Sequence, residues 1–171
     1  MRNTLLIVLL FLVGCAGPTH EVEPEFRPVE TIRERPRLLR NLGSKTAIST
    51  VGRHCYVYDL DEWLGRNPPG SVKYKAVMRH EQEHSRRQLD MGTFLWITRY
   101  GVDKDFALLE EQIGFYYEMT EKRRMGTYVD AHVYATILSN YKIPTGKLIS
   151  YDKALIWATQ VLRGEWTPPN D

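Results

Sequence analysis

The stretch "SVKYKAVMRHEQEHSRRQL" (residues 71–89) predicts the first long helix of the fold. Ser71 is a residue type that caps helix N-termini, and the breaker "GRNPPGS" (residues 65–71) ends whatever element precedes it. Apolar residues at positions 76–78 indicate that part of this helix is buried. We therefore predict a helix over residues 72–89 with one side packed against the rest of the domain.

Within this helix, His80, Glu81 and His84 fit the pattern H-E-x-x-H. Positions i and i+4 lie on one helix face about one turn apart, so two imidazoles can converge on one tetrahedral zinc ion. Glu81 is rotated off the metal axis, where it can reach a water on the zinc and act as a general base. The competing interpretation is a solvated helix face, because "RHEQEHSRR" (residues 79–87) is polar throughout.

Two histidines and a water leave one zinc ligand missing. The segment "FALLEEQIGFYYEM" (residues 106–119) offers three candidates, Glu110, Glu111 and Glu118. At helical spacing, Glu110 and Glu111 would each lie within an apolar stripe, and a buried carboxylate needs a partner such as a metal. The alternative is that both lie on the surface and form ion pairs.

The chain over about residues 55–119 resembles the gluzincins, zinc metallopeptidases whose third ligand is a Glu on a later helix. Their second helix often reads E-x-x-small, which lets the two helices approach closely at the metal. Glu111 has Gly114 at that place, whereas Glu110 has Ile113. The resemblance therefore implies Zn²⁺ held by the two histidines and Glu111. It also implies a zincin-like helical core and peptidase activity.

The resemblance carries three further implications. A strand around residues 56–58 would pair with an extended peptide substrate. Gln88, one turn past the second histidine, would be a hydrogen-bonding partner behind the ligands or a packing residue. Gluzincins stabilise the transition state with a His or Tyr on a later helix, and no fixed spacing marks that residue in this chain. We expect His132 in this role, with three tyrosines as alternatives, namely Tyr116, Tyr117 and Tyr128.

The N-terminus has the features of an export signal. A short basic head precedes an apolar run over residues 5–13, which is too short to cross a bilayer as a helix. The ending "LVGC" (residues 12–15) resembles the bacterial lipobox. This resemblance implies that residues 1–14 are removed and that Cys15 carries lipid at a membrane of the cell envelope. Ala16 after the cysteine implies the periplasmic face of the outer membrane in a Gram-negative cell.

The remaining chain divides into a tether and one domain. Residues 15–36 are rich in proline and charge and predict an extended tether, the alternative being a strand or arm packed on the domain. Residues 37–171 are sufficient for a single domain. In them, "TAISTVGRHCYVYDL" (residues 46–60) predicts a β-hairpin that turns at Gly52-Arg53.

Helical spacing dominates the rest of the domain. We predict helices at about residues 104–123, 127–141 and 151–162, and a buried short helix or turn at 91–101. The fold class is therefore α+β and mainly helical, with a small N-terminal β-hairpin or sheet before the helices.

Composition excludes several classes of partner. Lys and Arg number 23 against 21 Asp and Glu, so the near-neutral chain has no polyanion partner such as nucleic acid. With Cys15 acylated, Cys55 lacks a disulfide partner and is expected to be a buried thiol.

Two functions remain. The first is a membrane-anchored zinc peptidase acting on peptides or cell-envelope protein. The second is a non-catalytic envelope lipoprotein that binds a partner and uses zinc structurally or not at all.

Overall fold

The computed structural model describes residues 18–36, 47–144 and 146–169. The predicted signal peptide (residues 1–14) and the lipidated Cys15 lie outside the described residues. The fold is α+β and mainly helical, as predicted, with six α-helices and a small mixed sheet in the described part of the chain. None of the helices described there has both the length and the apolarity needed to cross a membrane.

A four-stranded sheet forms the N-terminal part of the fold, in the order β1-β2-β4-β3. Strands β2 and β4 are parallel, and the other two pairs are antiparallel. The predicted hairpin is confirmed, because β3 and β4 are joined through Gly52, whose φ of 58° suits a glycine. The bounds are Thr19–Glu21 (β1), Thr31–Glu34 (β2), Ser49–Val51 (β3) and His54–Val57 (β4).

Residues 18–36 are part of the folded unit, so the predicted tether is wrong for them. They contribute β1, a 3₁₀ turn at Pro24–Phe26 and β2. Phe26, Val29 and Ile32 are at most 1% exposed and join a core with Tyr74 of the first long helix. The apolar residues of this segment are few, but three of them are fully buried, and Val22 packs partly buried against the same core. The alternative of a strand packed on the domain is what the structure has.

The helices after residue 70 begin and end close to their predicted positions, whereas the short helix at Leu60–Arg66 was not predicted. The side chain of Ser71 accepts a hydrogen bond from the Tyr74 amide, as expected of an N-cap. Five of the six described helices begin after residue 70. A two-stranded ribbon (β5, Lys142–Ile143; β6, Gly146–Lys147) precedes the last of these helices. The bounds are Leu60–Arg66 (α1), Val72–Met91 (α2), Thr93–Val102 (α3), Lys104–Arg124 (α4), Ala131–Asn140 (α5) and Tyr151–Arg163 (α6).

The helix α2 lies between two cores. It packs along α4 on one side and against β3 on another, while α5 packs against α6. One core joins the sheet to the N-terminal half of α2, and the other joins α4, α5 and α6 around Phe115, Leu138 and Trp157. The H-E-x-x-H motif therefore sits where the two cores meet.

The prediction that the strand around residues 56–58 offers an open edge to a peptide is wrong. Strand β4 lies between β2 and β3, and its main chain pairs on both sides. The parallel pairing with β2 comes from the segment predicted as a tether, so local sequence could not indicate it. Cys55 in β4 is a fully buried free thiol, as expected.

Candidate metal centre

Two adjacent faces of α2 carry the motif residues. His80 and His84 face α4, whereas Glu81, Ser85 and Gln88 follow the spacing i, i+4, i+7 and face the β3–β4 hairpin. The two histidines and Glu81 are only 3–6% exposed. The interpretation of this stretch as a solvated helix face is therefore wrong.

His80, His84 and Glu111 form one buried cluster of possible ligand atoms, all within 4.8 Å of one another. The two imidazole Nε2 atoms lie 3.0 Å apart. Glu111 Oε2 lies 3.7 Å from His80 Nε2, and Glu111 Oε1 lies 3.6 Å from His84 Nε2. Ligands at zinc-bond length in a tetrahedron are about 3.3 Å apart, so the spacing suits a zinc ion.

The cluster contains a polar atom whose partner is missing. Glu111 is 3% exposed, and its Oε2 has no hydrogen-bond partner among the described residues. An unpartnered buried carboxylate oxygen is costly, whereas a cation at the centre of the cluster would satisfy it. Two imidazoles and one carboxylate are the donor set of catalytic zinc sites, which keep a fourth position open.

Close approach of α4 to α2 depends on Gly114. A Cβ at this position would lie 2.6 Å from His80 Nε2, well inside van der Waals contact. The glycine therefore lets the main chain of α4 pass directly beside the imidazole, one turn after Glu111. The same glycine was the sequence feature that favoured Glu111 over Glu110.

Glu110 has a different partner. It is fully buried, and its carboxylate accepts hydrogen bonds from Arg87 at 2.8 Å from Nη2 and 3.0 Å from Nε. The structure thus brings Glu111, and not Glu110, to the two histidines. Burial of both carboxylates also excludes the alternative in which they lie on the surface.

Glu118 lies behind the cluster. Its Oε2 is 3.6 Å from His80 Nδ1, and its Oε1 accepts from Lys122 Nζ and from the Tyr134 hydroxyl. A carboxylate on the far nitrogen of a ligating histidine orients the ring and makes it a better donor. Glu118 is seven residues after Glu111, so the two lie on one face of α4. The sequence alone indicates Glu118 only as a candidate metal ligand.

Two tyrosines that the sequence analysis did not select contact the cluster. The hydroxyl of Tyr100 donates to Glu111 Oε1, and the buried Tyr141 hydroxyl also lies beside Glu111. His132 is placed elsewhere, exposed on α5 with its Nδ1 2.7 Å from the Tyr151 hydroxyl. Of the other candidates, Tyr116 packs against Tyr117 and Trp166, and Tyr128 is 85% exposed.

The ionisable groups of the cluster shift one another's pKa values. Burial lowers the pKa of His80, but the carboxylates of Glu118, Glu81 and Glu111 outweigh burial and raise this pKa to about 9. Burial and the nearby His80 hold the pKa of His84 well below its ordinary value. Burial raises the pKa of Glu111 to about 7. Without a metal, His80 is therefore the group that carries the positive charge among these carboxylates.

The helix α3 covers the cluster. The indole of Trp96 meets the His84 ring edge-on at 5.6 Å and stacks on Tyr100 at 4.8 Å. The helix starts after Gly92, whose φ is 90°, and it leaves Phe94 and Leu95 exposed on its outer side. The expectation of a buried segment therefore holds only for its inner face. Trp96 and Tyr100 therefore shield His84 and Glu111 from solvent on this side.

Comparisons of the chain with protein-family models, with curated proteins and with solved structures find no match. The gluzincin resemblance therefore rests on residues of this chain alone. Those residues are the H-E-x-x-H motif on α2 and the E-x-x-G motif on α4, which the fold brings face to face.

Proposed function

We propose that the protein is a zinc-dependent peptidase that acts on peptides or cell-envelope protein and is anchored to a membrane through Cys15. The observation that carries this proposal is the cluster of His80, His84 and Glu111 at zinc-ligand spacing. Glu81, the residue next to the first ligand, is buried beside it. A metal position and a carboxylate base side by side are the parts that hydrolysis of an amide by water requires.

Zinc in this donor set supplies a Lewis acid that polarises a carbonyl group and acidifies water. The residues of the chain supply the proton transfer. Burial raises the pKa of Glu81, which makes this carboxylate a stronger base than one in water. Its Oε2 accepts from Thr50, so Oε1 is the oxygen that we assign to taking the proton.

We assign stabilisation of the reacting carbonyl oxygen to Tyr100 and Tyr141. Their hydroxyl groups already lie at Glu111, within the cluster. Phenol donors aimed at an oxygen that gains negative charge lower the barrier to amide hydrolysis. Tyr100 is on the covering helix α3, so movement of this helix would both admit the substrate and reposition the donor.

A non-catalytic role is the second candidate, and burial of the cluster favours it. The three possible ligands are 3–6% exposed beneath α3, as expected of a zinc site that only stabilises a fold. The donor set favours catalysis instead, because structural zinc sites usually have four protein ligands and many cysteines. The cluster has three ligands, and the described Cys55 bonds to Thr50.

Zinc content tests the metal centre. The full chain, purified in detergent and loaded with zinc, is expected to hold about one ion per molecule by elemental analysis. His84→Ala and Glu111→Ala should lose that ion, because three protein ligands become two. Glu110→Gln is the matched control. It should keep the zinc but lower the free energy of unfolding by about 3 kcal/mol, because Arg87 loses its buried partner. A wild-type chain that holds no zinc after loading overturns the proposal.

Zinc affinity is expected to rise with pH. His80, with a pKa of about 9, is protonated in the metal-free chain at neutral pH, and zinc binds only the neutral ring. The dissociation constant should therefore fall by about tenfold per pH unit between pH 7 and 9, where one proton must leave, and level off above 9. Below about 7, protonation of Glu111 should make the dependence steeper.

Chelator competition at a series of pH values measures this dependence. In Glu118→Gln, the negative charge 3.6 Å from His80 Nδ1 is removed, so the affinity should level off at a lower pH than in wild type. An affinity that is constant between pH 7 and 9 would show that zinc does not compete with a proton on His80.

A further inference from the structure

The β3–β4 hairpin is bonded to α2 at three places. Thr50 Oγ1 donates to Glu81 Oε2 at 2.6 Å, and Ser85 Oγ donates to the Gly52 carbonyl at 2.5 Å. The Gln88 amide makes two bonds, donating to the Thr50 carbonyl at 2.9 Å and accepting from the Gly52 amide at 2.8 Å. These bonds hold β3, the edge strand of the sheet, against the face of α2 that carries Glu81.

Gln88 immobilises the main chain on both sides of Val51. Its carboxamide presents the donor and acceptor that another strand would present to this edge, so it completes the hydrogen bonding of β3 there. Gln88 is fully buried, and Thr50 is 8% exposed. With its main chain fixed, Thr50 has little freedom to turn its hydroxyl away from Glu81.

The carboxylate of Glu81 fixes the direction of the hydrogen bonds that join it to Thr50 and Cys55. The Sγ of Cys55 lies 3.1 Å from Thr50 Oγ1, across the β3–β4 pair. An ionised carboxylate only accepts hydrogen bonds, so the single hydroxyl proton of Thr50 points to Glu81. The thiol proton of Cys55 then points to Thr50 Oγ1. The chain of donors runs in one direction, from Cys55 through Thr50 to Glu81.

We propose that Thr50 is a positioning residue for the base, holding Oε2 of Glu81 so that Oε1 faces the reacting water. Gln88 and Cys55 hold Thr50 in turn. This inference rests on the proposed peptidase function, since Glu81 has a proton to take only if the site hydrolyses a substrate. A carboxylate held in one orientation transfers a proton more effectively than one that rotates among several.

Thr50→Val tests the inference in the zinc-loaded full chain, because valine keeps the shape and lacks the hydroxyl. We expect a kcat lower by roughly 10- to 100-fold, a KM within about twofold, and one zinc per chain. Thr50→Ser keeps the hydroxyl and should restore kcat to within about threefold of wild type. Ser85→Ala removes a bond to the Gly52 carbonyl across the same interface and leaves the Thr50–Glu81 hydrogen bond in place, so its kcat should stay within about twofold.

A second measurement does not depend on activity. Denaturant unfolding of the metal-free chain compares Thr50→Val in the wild-type and Glu81→Leu backgrounds. The midpoint should fall clearly in the first background and much less in the second, where the carboxylate is absent. Ser85→Ala should shift the midpoint equally in both.

Two results would overturn this inference, and a third would overturn the proposed function on which it rests. Equal midpoint shifts for Thr50→Val in both backgrounds would show that the two side chains are not coupled. An active Thr50→Val with wild-type kcat would show that the hydroxyl does not position the base. A zinc-loaded wild type without hydrolytic activity would overturn the proposed function and with it the catalytic role of Thr50, while the unfolding cycle would still report whether the pair is coupled.

Discussion

Replacing Glu81 by glutamine is expected to leave zinc bound and to remove most of the hydrolytic activity. Glutamine has nearly the same size, and its carbonyl oxygen can still accept from Thr50, so the fold around the ligands should persist. The amide cannot take a proton from water at neutral pH. Loss of a general base typically lowers the rate by about 10²- to 10⁴-fold. Mass spectrometry of a broad peptide library digested by the zinc-loaded chain measures this rate.

Glu83→Gln is the matched control for that substitution. Glu83 lies two residues further along α2, and it pairs with Arg86 rather than with the cluster. Its replacement removes one carboxylate from the same helix, so activity should stay within about twofold of wild type. If Glu81→Gln digests the library as fast as wild type, Glu81 is not the base, whatever the zinc content.

Gly114→Ala is expected to weaken zinc binding by about 100-fold although Gly114 is no ligand. The added Cβ would lie 2.6–2.8 Å from three atoms of the His80 ring. The ring has little room to retreat, because it packs edge-on against Phe115 at 4.6 Å and His84 at 4.7 Å. Either α4 moves away and takes Glu111 with it, or the ring turns and Nε2 leaves the cluster.

Gly65→Ala is the control for the Gly114 substitution. Gly65 lies in α1, and a Cβ there would meet nothing within 4 Å. Alanine favours a helix over glycine by about 1 kcal/mol, so this variant should be as stable as wild type or more stable, with unchanged zinc affinity. Chelator competition measures both variants. A Gly114→Ala chain with wild-type affinity would show that the metal, if bound, lies outside this cluster.

Local features of the chain were predictable from sequence because they depend on neighbouring residues. The cap at Ser71, the turn at Gly52 and the helical spacing of α2 and α4 each depend on residues that are only a few positions apart. The segment before residue 37 was not predictable in this way. Its few apolar residues become a core only through pairing of β2 with β4, more than 20 residues later.

The contacts that complete the site come from distant parts of the chain. Tyr141 reaches Glu111 from 30 residues away, and Thr50 reaches Glu81 from 31 residues away. Tyrosine and threonine have no motif spacing that marks these roles. By contrast, His132 was a candidate for stabilising the transition state because of its residue type alone. The fold leaves it on an exposed face of α5.

A separation of four residues is close to one helical turn, so local sequence is enough to place His80 and His84 on one face of a helix. Which carboxylate joins them depends on how α4 packs against α2. Glu110 and Glu111 are adjacent, so on a helix they point about 100° apart, and either could face α2. The rotation of α4 about its axis selects between them. That rotation is set by contact at Gly114, where the absence of a side chain brings Glu111 to the histidines, and by Arg87, which pairs with Glu110.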